Sequence, residues 1–189
     1  MKFLKMQMTS SFGRRGRLII TATLFGMLGL IPVVARATTE SEVRGVVQQV
    51  FQQLQSRNYS ALYDSLPSAT RTRTTRERFV SALSRAQDRY VLDRINIGAV
   101  RVSGNVAVAD TELFGRLAKP FAAEGKIVVQ QYLVREGGQW RVATGDNATI
   151  QRFLKANPAF GRKFPIRAPR IYVKQGNNWV EFNPRQFQR

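Results

Sequence analysis

Residues 125–146 read GKIVVQQYLVREGGQWRVATGD, and this stretch decides the fold. Residues 127–134 are rich in β-branched and aromatic side chains, the composition of a strand. Gly137 and Gly138 supply a tight reversal, and Trp140, Arg141 and Val142 begin a return strand. The first strand is apolar on both faces, with Ile127, Val129 and Leu133 alternating with Val128, Tyr132 and Val134. A sheet with two apolar faces needs cover on both.

Upstream, helices can cover one face. In residues 38–57 Val43, Val46, Val47, Val50, Phe51 and Leu54 recur at three- and four-residue spacing, one helical stripe, opposite a Gln-rich side. Residues 59–66 read as a short second helix stopped by Pro67, and residues 68–75 as a polar loop. Residues 76–89 read as a third helix, capped by Thr74 or Thr75 and burying Phe79, Val80, Leu83 and Ala86. From Tyr90 the period falls to two. Residues 90–102 form a strand bent near Gly98, Ser103-Gly104-Asn105 a turn, and residues 106–117 a second strand. Its alternation sets Ala107, Ala109, Thr111 and Leu113 on one face, and Val106, Val108, Asp110, Glu112 and Phe114 on the other. The fold class is therefore α+β: three N-terminal helices packed on a curved antiparallel four-stranded sheet.

Downstream, residues 147–156 read as a helix capped by Asp146 or Asn147, residues 159–170 as irregular, and 171–173 with 179–182 as an extra hairpin around Gly176-Asn177. This tail, residues 147–189, interleaves Arg152, Lys155, Arg162, Lys163, Arg167, Arg170 and Lys174 with Phe153, Phe160, Phe164, Tyr172 and Trp179, and Glu181 is its one acid. Basic and aromatic residues together suit a polyanion. The aromatic side chains can equally cover the second face of the sheet while the basic ones point outward, and a second copy of the chain is the other candidate cover.

The 189 residues carry a formal charge of +18, contain neither Cys nor His, and are 43% hydrophobic. Disulfides, thiolate catalysis, Cys-ligated zinc and imidazole chemistry are excluded. No phosphate-binding glycine loop, metal cluster or hydrolase motif is present, and no cofactor is expected. Residues 1–37 hold Lys2, Lys5, Arg14, Arg15, Arg17 and Arg36 without an acid. A basic start, an apolar run over residues 18–31, a break at Pro32 and Ala35-Arg36-Ala37 make an export signal with cleavage after Ala37. Export places the protein in the periplasm or outside the cell, with membrane contact only through this segment. Cytosolic nucleic acid is then not an expected partner; an envelope polyanion is.

The hairpin at residues 125–146, together with SRNYSALYDSLPSATRTRTTRERF (56–79) and VRVSGNVAVAD (100–110), resembles the nuclear transport factor 2-like superfamily, the cystatin-like cone. The resemblance spans residues 40–146 and makes this chain similar to exported members, with the basic tail as an extension beyond the pattern. It implies a cone-shaped domain over residues 38–146. It does not imply one activity, because this fold hosts enzymes and accessory modules alike. Family enzymes place an acid–base group inside the cone, and Tyr63, Asp64, Tyr90, Asp110, Glu112 and Tyr132 are the residues here that could line it. An isomerase or dehydratase would use Asp110 as base with Tyr63 or Tyr132 as hydroxyl donor. A small apolar ligand is the other occupant the cone implies, and dimerisation through the sheet is common in the family. Read as residues alone, Asp110 and Glu112 share one strand face, where crowding could raise one pKa. They could instead pair with Arg101 or Arg141 on neighbouring strands, which is the commoner arrangement. The residues thus favour a non-enzymatic exported binding or accessory domain, with the cavity enzyme and the polyanion binder as alternatives.

Overall fold

The computed structural model describes residues 32–87, 90–118 and 122–182. Most of the expected export signal, residues 1–31, lies outside the described residues. Its last part falls on α1 (Pro32–Gln55). Along α1 the expected stripe is the buried one: Val43, Val47, Val50 and Phe51 are buried, and Val46 and Leu54 pack beside them. Arg57, with φ of 59°, turns the chain out of the helix.

Asn58 then caps α2 (Tyr59–Asp64) by accepting from the Ala61 N–H. The stretch expected as a polar loop is instead a helix, α3 (Ser68–Arg73). Pro67 leads into it with extended geometry, and one turn of six residues is too short to show a periodicity. In α4 (Arg76–Gln87) Phe79 and Leu83 pack toward the core, as expected.

The sheet has six strands: β1 (Tyr90–Ser103), β2 (Val106–Leu117), β3 (Glu124–Glu136), β4 (Gln139–Val142), β5 (Arg170–Gln175) and β6 (Asn178–Glu181). All pairings are antiparallel, in the order β1-β2-β3-β5-β6, with β4 also on β3. The far edge of β3 is therefore shared. Its last residues pair with β4 (Leu133 opposite Val142), and its first pair with β5 (Val128 opposite Arg170). The extra hairpin thus lengthens the expected four-stranded sheet rather than standing apart from it. Gly137 and Gly138 both have positive φ, as the β3–β4 turn requires.

β1 carries two bulges, between Leu92 and Arg94 and between Ile97 and Val100. A bulge leaves backbone groups unpaired, and α1 answers both. Arg44 donates to the carbonyls of Ile97 (2.9 Å) and Gly98 (2.6 Å), and Gln55 to those of Leu92 (3.2 Å) and Asp93 (3.0 Å).

Both faces of the sheet are covered. On the inner face Ala107, Ala109, Leu133 and Val142 meet α1 and α2. On the outer face Val106, Val108, Tyr132 and Val134 meet α5 (Asn147–Ala156) and α6 (Pro158–Lys163) through Ile150, Leu154 and Phe160. α6 replaces part of the expected irregular stretch. Pro158 at its first turn supplies a preset φ there.

Candidate functional site

Beneath α1 the inner side of the sheet is tightly packed. Between α1 and the strands, Val47, Val50, Phe51, Ile95, Gln131 and Val142 enclose about 10 Å³, room for at most one water molecule. At the other end of the inner face an apolar cavity of about 240 Å³ is lined by Tyr90, Leu92, Leu113, Leu117, Ile127 and Ile171. Burial raises the pKa of Tyr90, so it keeps its proton. No carboxylate is among the described residues lining this cavity, whose size and walls suit a small apolar group.

Asp110, the expected base, lies on the outer face of β2. Its carboxylate takes an ion pair from Arg101 (2.6 Å) and a hydrogen bond from the Gln130 amide (3.2 Å). Partial burial pushes its pKa up, but the bonds from Arg101 and Gln130 outweigh it and hold the group below the usual carboxylate range. Such a carboxylate is an ion-pair partner, not a base poised near neutral pH. Tyr132 lies on the same face, with its hydroxyl donated to the Pro165 carbonyl (2.8 Å) and the Phe164 carbonyl at 3.0 Å. Burial is the main cause of its raised pKa, with Arg167 pulling the other way. Glu112, on the same strand face, meets Lys126 (3.4 Å) and Asn96 (3.5 Å). Arg141 serves neither carboxylate; it donates to the Asp64 carbonyl (2.7 Å).

Tyr63 and Asp64 belong to the helical layer. The Tyr63 hydroxyl is donated to the Thr74 carbonyl (2.9 Å), with the Arg71 carbonyl at 3.1 Å. Asp64 is held by Arg76 in a two-pronged pair of 2.6 and 3.1 Å, and that bond is the first cause of its lowered pKa. The structure therefore brings Asp110, Glu112 and Tyr132 together on the outer face, and leaves Tyr63, Asp64 and Tyr90 elsewhere.

The basic residues of the tail divide. Lys174 pairs with Glu124 (2.8 Å). Arg152, Lys155, Arg162, Lys163, Arg167 and Arg170 are exposed and make no ion pair among the described residues. Arg152 and Lys163 lie beside Phe153 and Phe164, at 5.5 and 5.7 Å from the ring centres. Arg167 and Arg170 face Asn96, Asp110, Glu112 and Gln130 across a groove of about 400 Å³ on the outer face. Arg167 also borders an adjoining cavity of about 560 Å³ with Tyr132, Thr144, Ile150 and Ile166. The sequence singled out the arginines and carboxylates of this groove but not Gln130 or Asn96. Nothing local marks an amide side chain on a strand as a groove residue. Among the described residues no cluster of three or more His, Cys, Asp or Glu could hold a metal ion, and none of the described helices is long and apolar enough to cross a membrane.

No protein-family model matches this sequence, and no curated protein does. Among solved structures, an NTF2-like protein of unknown function from Pseudomonas putida KT2440 is similar at 15% identity, with a TM-score of 0.39, over 56% of this chain and 82% of that one.

Proposed function

We propose that this chain is an exported, non-enzymatic binding domain of the cell envelope that works from the outer face of its sheet. The observation that carries the reading is where the polar grooves lie: beneath α1 only about 10 Å³ remain and the other inner cavity has no carboxylate in its lining, while the polar grooves lie on the outer face, against residues of the tail. Asp110, Glu112 and Tyr132, the acid–base candidates of the outer face, are engaged in ion pairs and hydrogen bonds. Export is supported by the basic and then apolar character of residues 1–37. The stripe from Val43 to Leu54 lies downstream of Ala37, so cleavage there leaves it whole.

The partner this surface fits is acidic. Arg152, Lys155, Arg162 and Lys163 stand exposed on α5 and α6, with no ion pair among the described residues. Such a surface attracts an acidic glycan or an anionic headgroup layer, more weakly as salt rises. The test is to purify the protein from the envelope fraction, read its N-terminus, and then measure salt-graded retention on heparin and on anionic vesicles. A mature start at Thr38 and earlier elution of a variant with all four residues changed to Gln are expected. Unchanged retention of that variant would remove the basic surface from the function, and a protein found only in the cytosol would remove export.

A further inference from the structure

β3 loses its neighbour for one residue along its far edge. Tyr132 is the last residue served on the β4 side: its N–H donates to the Thr144 hydroxyl (2.9 Å), and its carbonyl accepts from the Ala143 N–H (2.8 Å). Val128, opposite Arg170, is the last residue served by β5. In an antiparallel ladder the N–H and C=O of one residue point to the same side, and every second residue points alike. Gln130, between Tyr132 and Val128, therefore aims both backbone groups into the gap between β4 and β5. Neither strand pairs with it, and no described loop bonds to it there. Gln130 and Arg167 both border the two outer cavities, of about 400 and 560 Å³, so the gap opens into usable space.

The charge of this notch is set by what is already paired. Asp110 is held by Arg101, and Glu112 by Lys126. Arg167 has no ion pair or hydrogen bond among the described residues. It lines both outer cavities together with Gln130, which places it beside the notch. The site thus offers an N–H, a C=O and a guanidinium side by side.

We propose that this notch binds an N-acylated α-amino acid carboxylate, the chemistry of a peptide C-terminus. The ligand's amide N–H donates to the Gln130 carbonyl. Its carboxylate accepts from the Gln130 N–H and from Arg167, a charge-assisted contact. A residue bridged in this way sets its side chain on the same face as its opposite number. There Tyr132, Ile150, Ile166 and Pro169 line an apolar wall. Inorganic phosphate fits worse, because an anionic oxygen would face the Gln130 carbonyl. An amine would face Arg167. The notch goes beyond the acidic-surface reading, and its test does not involve α5 or α6.

The experiment follows the Gln130 amide resonance of the full chain while N-acetyl-leucine is added. A saturable shift is expected, with a parallel loss of the response for N-acetyl-leucinamide, which lacks the carboxylate, and for the N-methylated acid, which lacks the amide N–H. Arg167→Gln should weaken binding about tenfold, as loss of a charged hydrogen bond does, while Arg78→Gln, exposed on α4 and outside the notch, leaves it unchanged. Phosphate shifting Gln130 as strongly as the acylated acid would overturn the proposal, as would the absence of any saturable shift. Retention on heparin is unaffected by either result, so the two readings fail separately.

Discussion

Asp146 shows how one side chain joins the tail to the helical layer. It caps α5 by accepting from the Thr149 N–H (3.1 Å), accepts from the Thr70 hydroxyl on α3, and pairs with Arg73. Burial pushes its pKa up, but the bonds from Thr70 and Thr149 and the charge of Arg73 more than reverse this, so the folded value lies below the ordinary one. A carboxyl lowered on folding stabilises above its unfolded pKa of about 3.9, and that contribution is lost as pH falls through the folded value. Asp146→Ala should therefore cost about 1–3 kcal/mol at neutral pH, most of it from the cap and the buried bonds. The half-exposed Arg73 adds little. Urea midpoints of the two proteins measured across the acid range should converge as the carboxyl protonates; a gap constant down to pH 2 would contradict this account. Asp146 was legible as a helix cap, because cap chemistry is local. Its bond to Thr70 was not, nor was the open backbone of Gln130, because each depends on where distant segments stop.

At the level of elements, the long periodic ones were readable, α2 was readable by its stop at Pro67, and the six-residue helices α3 and α6 were not. The stripe of α1, the alternation of β2 and the α5 boundaries follow from spacing alone. α3 and α6 are too short to display a period, and the sequence read them as loop. The bend near Gly98 was legible as a bulge, but its partner Arg44 was not, since an arginine on the outer side of a helical stripe looks solvated. Arg44 and Gln55 each complete carbonyls that the β1 bulges leave unpaired. Arg44→Ala and Gln55→Ala should each lower stability by about 1–2 kcal/mol, and the pair should sum to within about 0.5 kcal/mol because the sites are independent. Chemical unfolding of the two single variants and the double variant checks both statements.

For the whole molecule the decisive fact is that β3 is buried on both sides at Tyr132, Leu133 and Val134. The two-faced apolar pattern predicted a second cover, and α5 with α6 provides it. Ile150, Leu154 and Phe160 are all buried, and beneath them Val106, Val108 and Val134 are fully enclosed. Burying one such side chain contributes about 1.5–3 kcal/mol. The stability of a whole domain is only about 5–15 kcal/mol. A chain ended at Asp146 should therefore fail to fold cooperatively, shown by loss of a sharp thermal transition and by dye binding to exposed apolar surface. A cooperative transition in that fragment would make the tail an appendage. The function of the tail bases is accordingly tested by substitution and not by truncation. What composition could not convey is that the inner side is filled beneath α1 and open beside Tyr90, since cavity volume is set by how side chains from several elements meet.

The two contacts of α1 with β1 also act as a pair of rulers. From Arg44 to Gln55 a helix advances about 16 Å. From Leu92 to Ile97 a strand covers about the same 16 Å. Two scales with different graduations thus coincide at two marks. Inserting one residue between the marks rotates one end of the helix against the other by about 100° or turns one end of the strand over, so the two marks can no longer be met at once. The intervals 44–55 and 92–97 should consequently be constant in length among proteins built on this plan, and length changes should fall outside them.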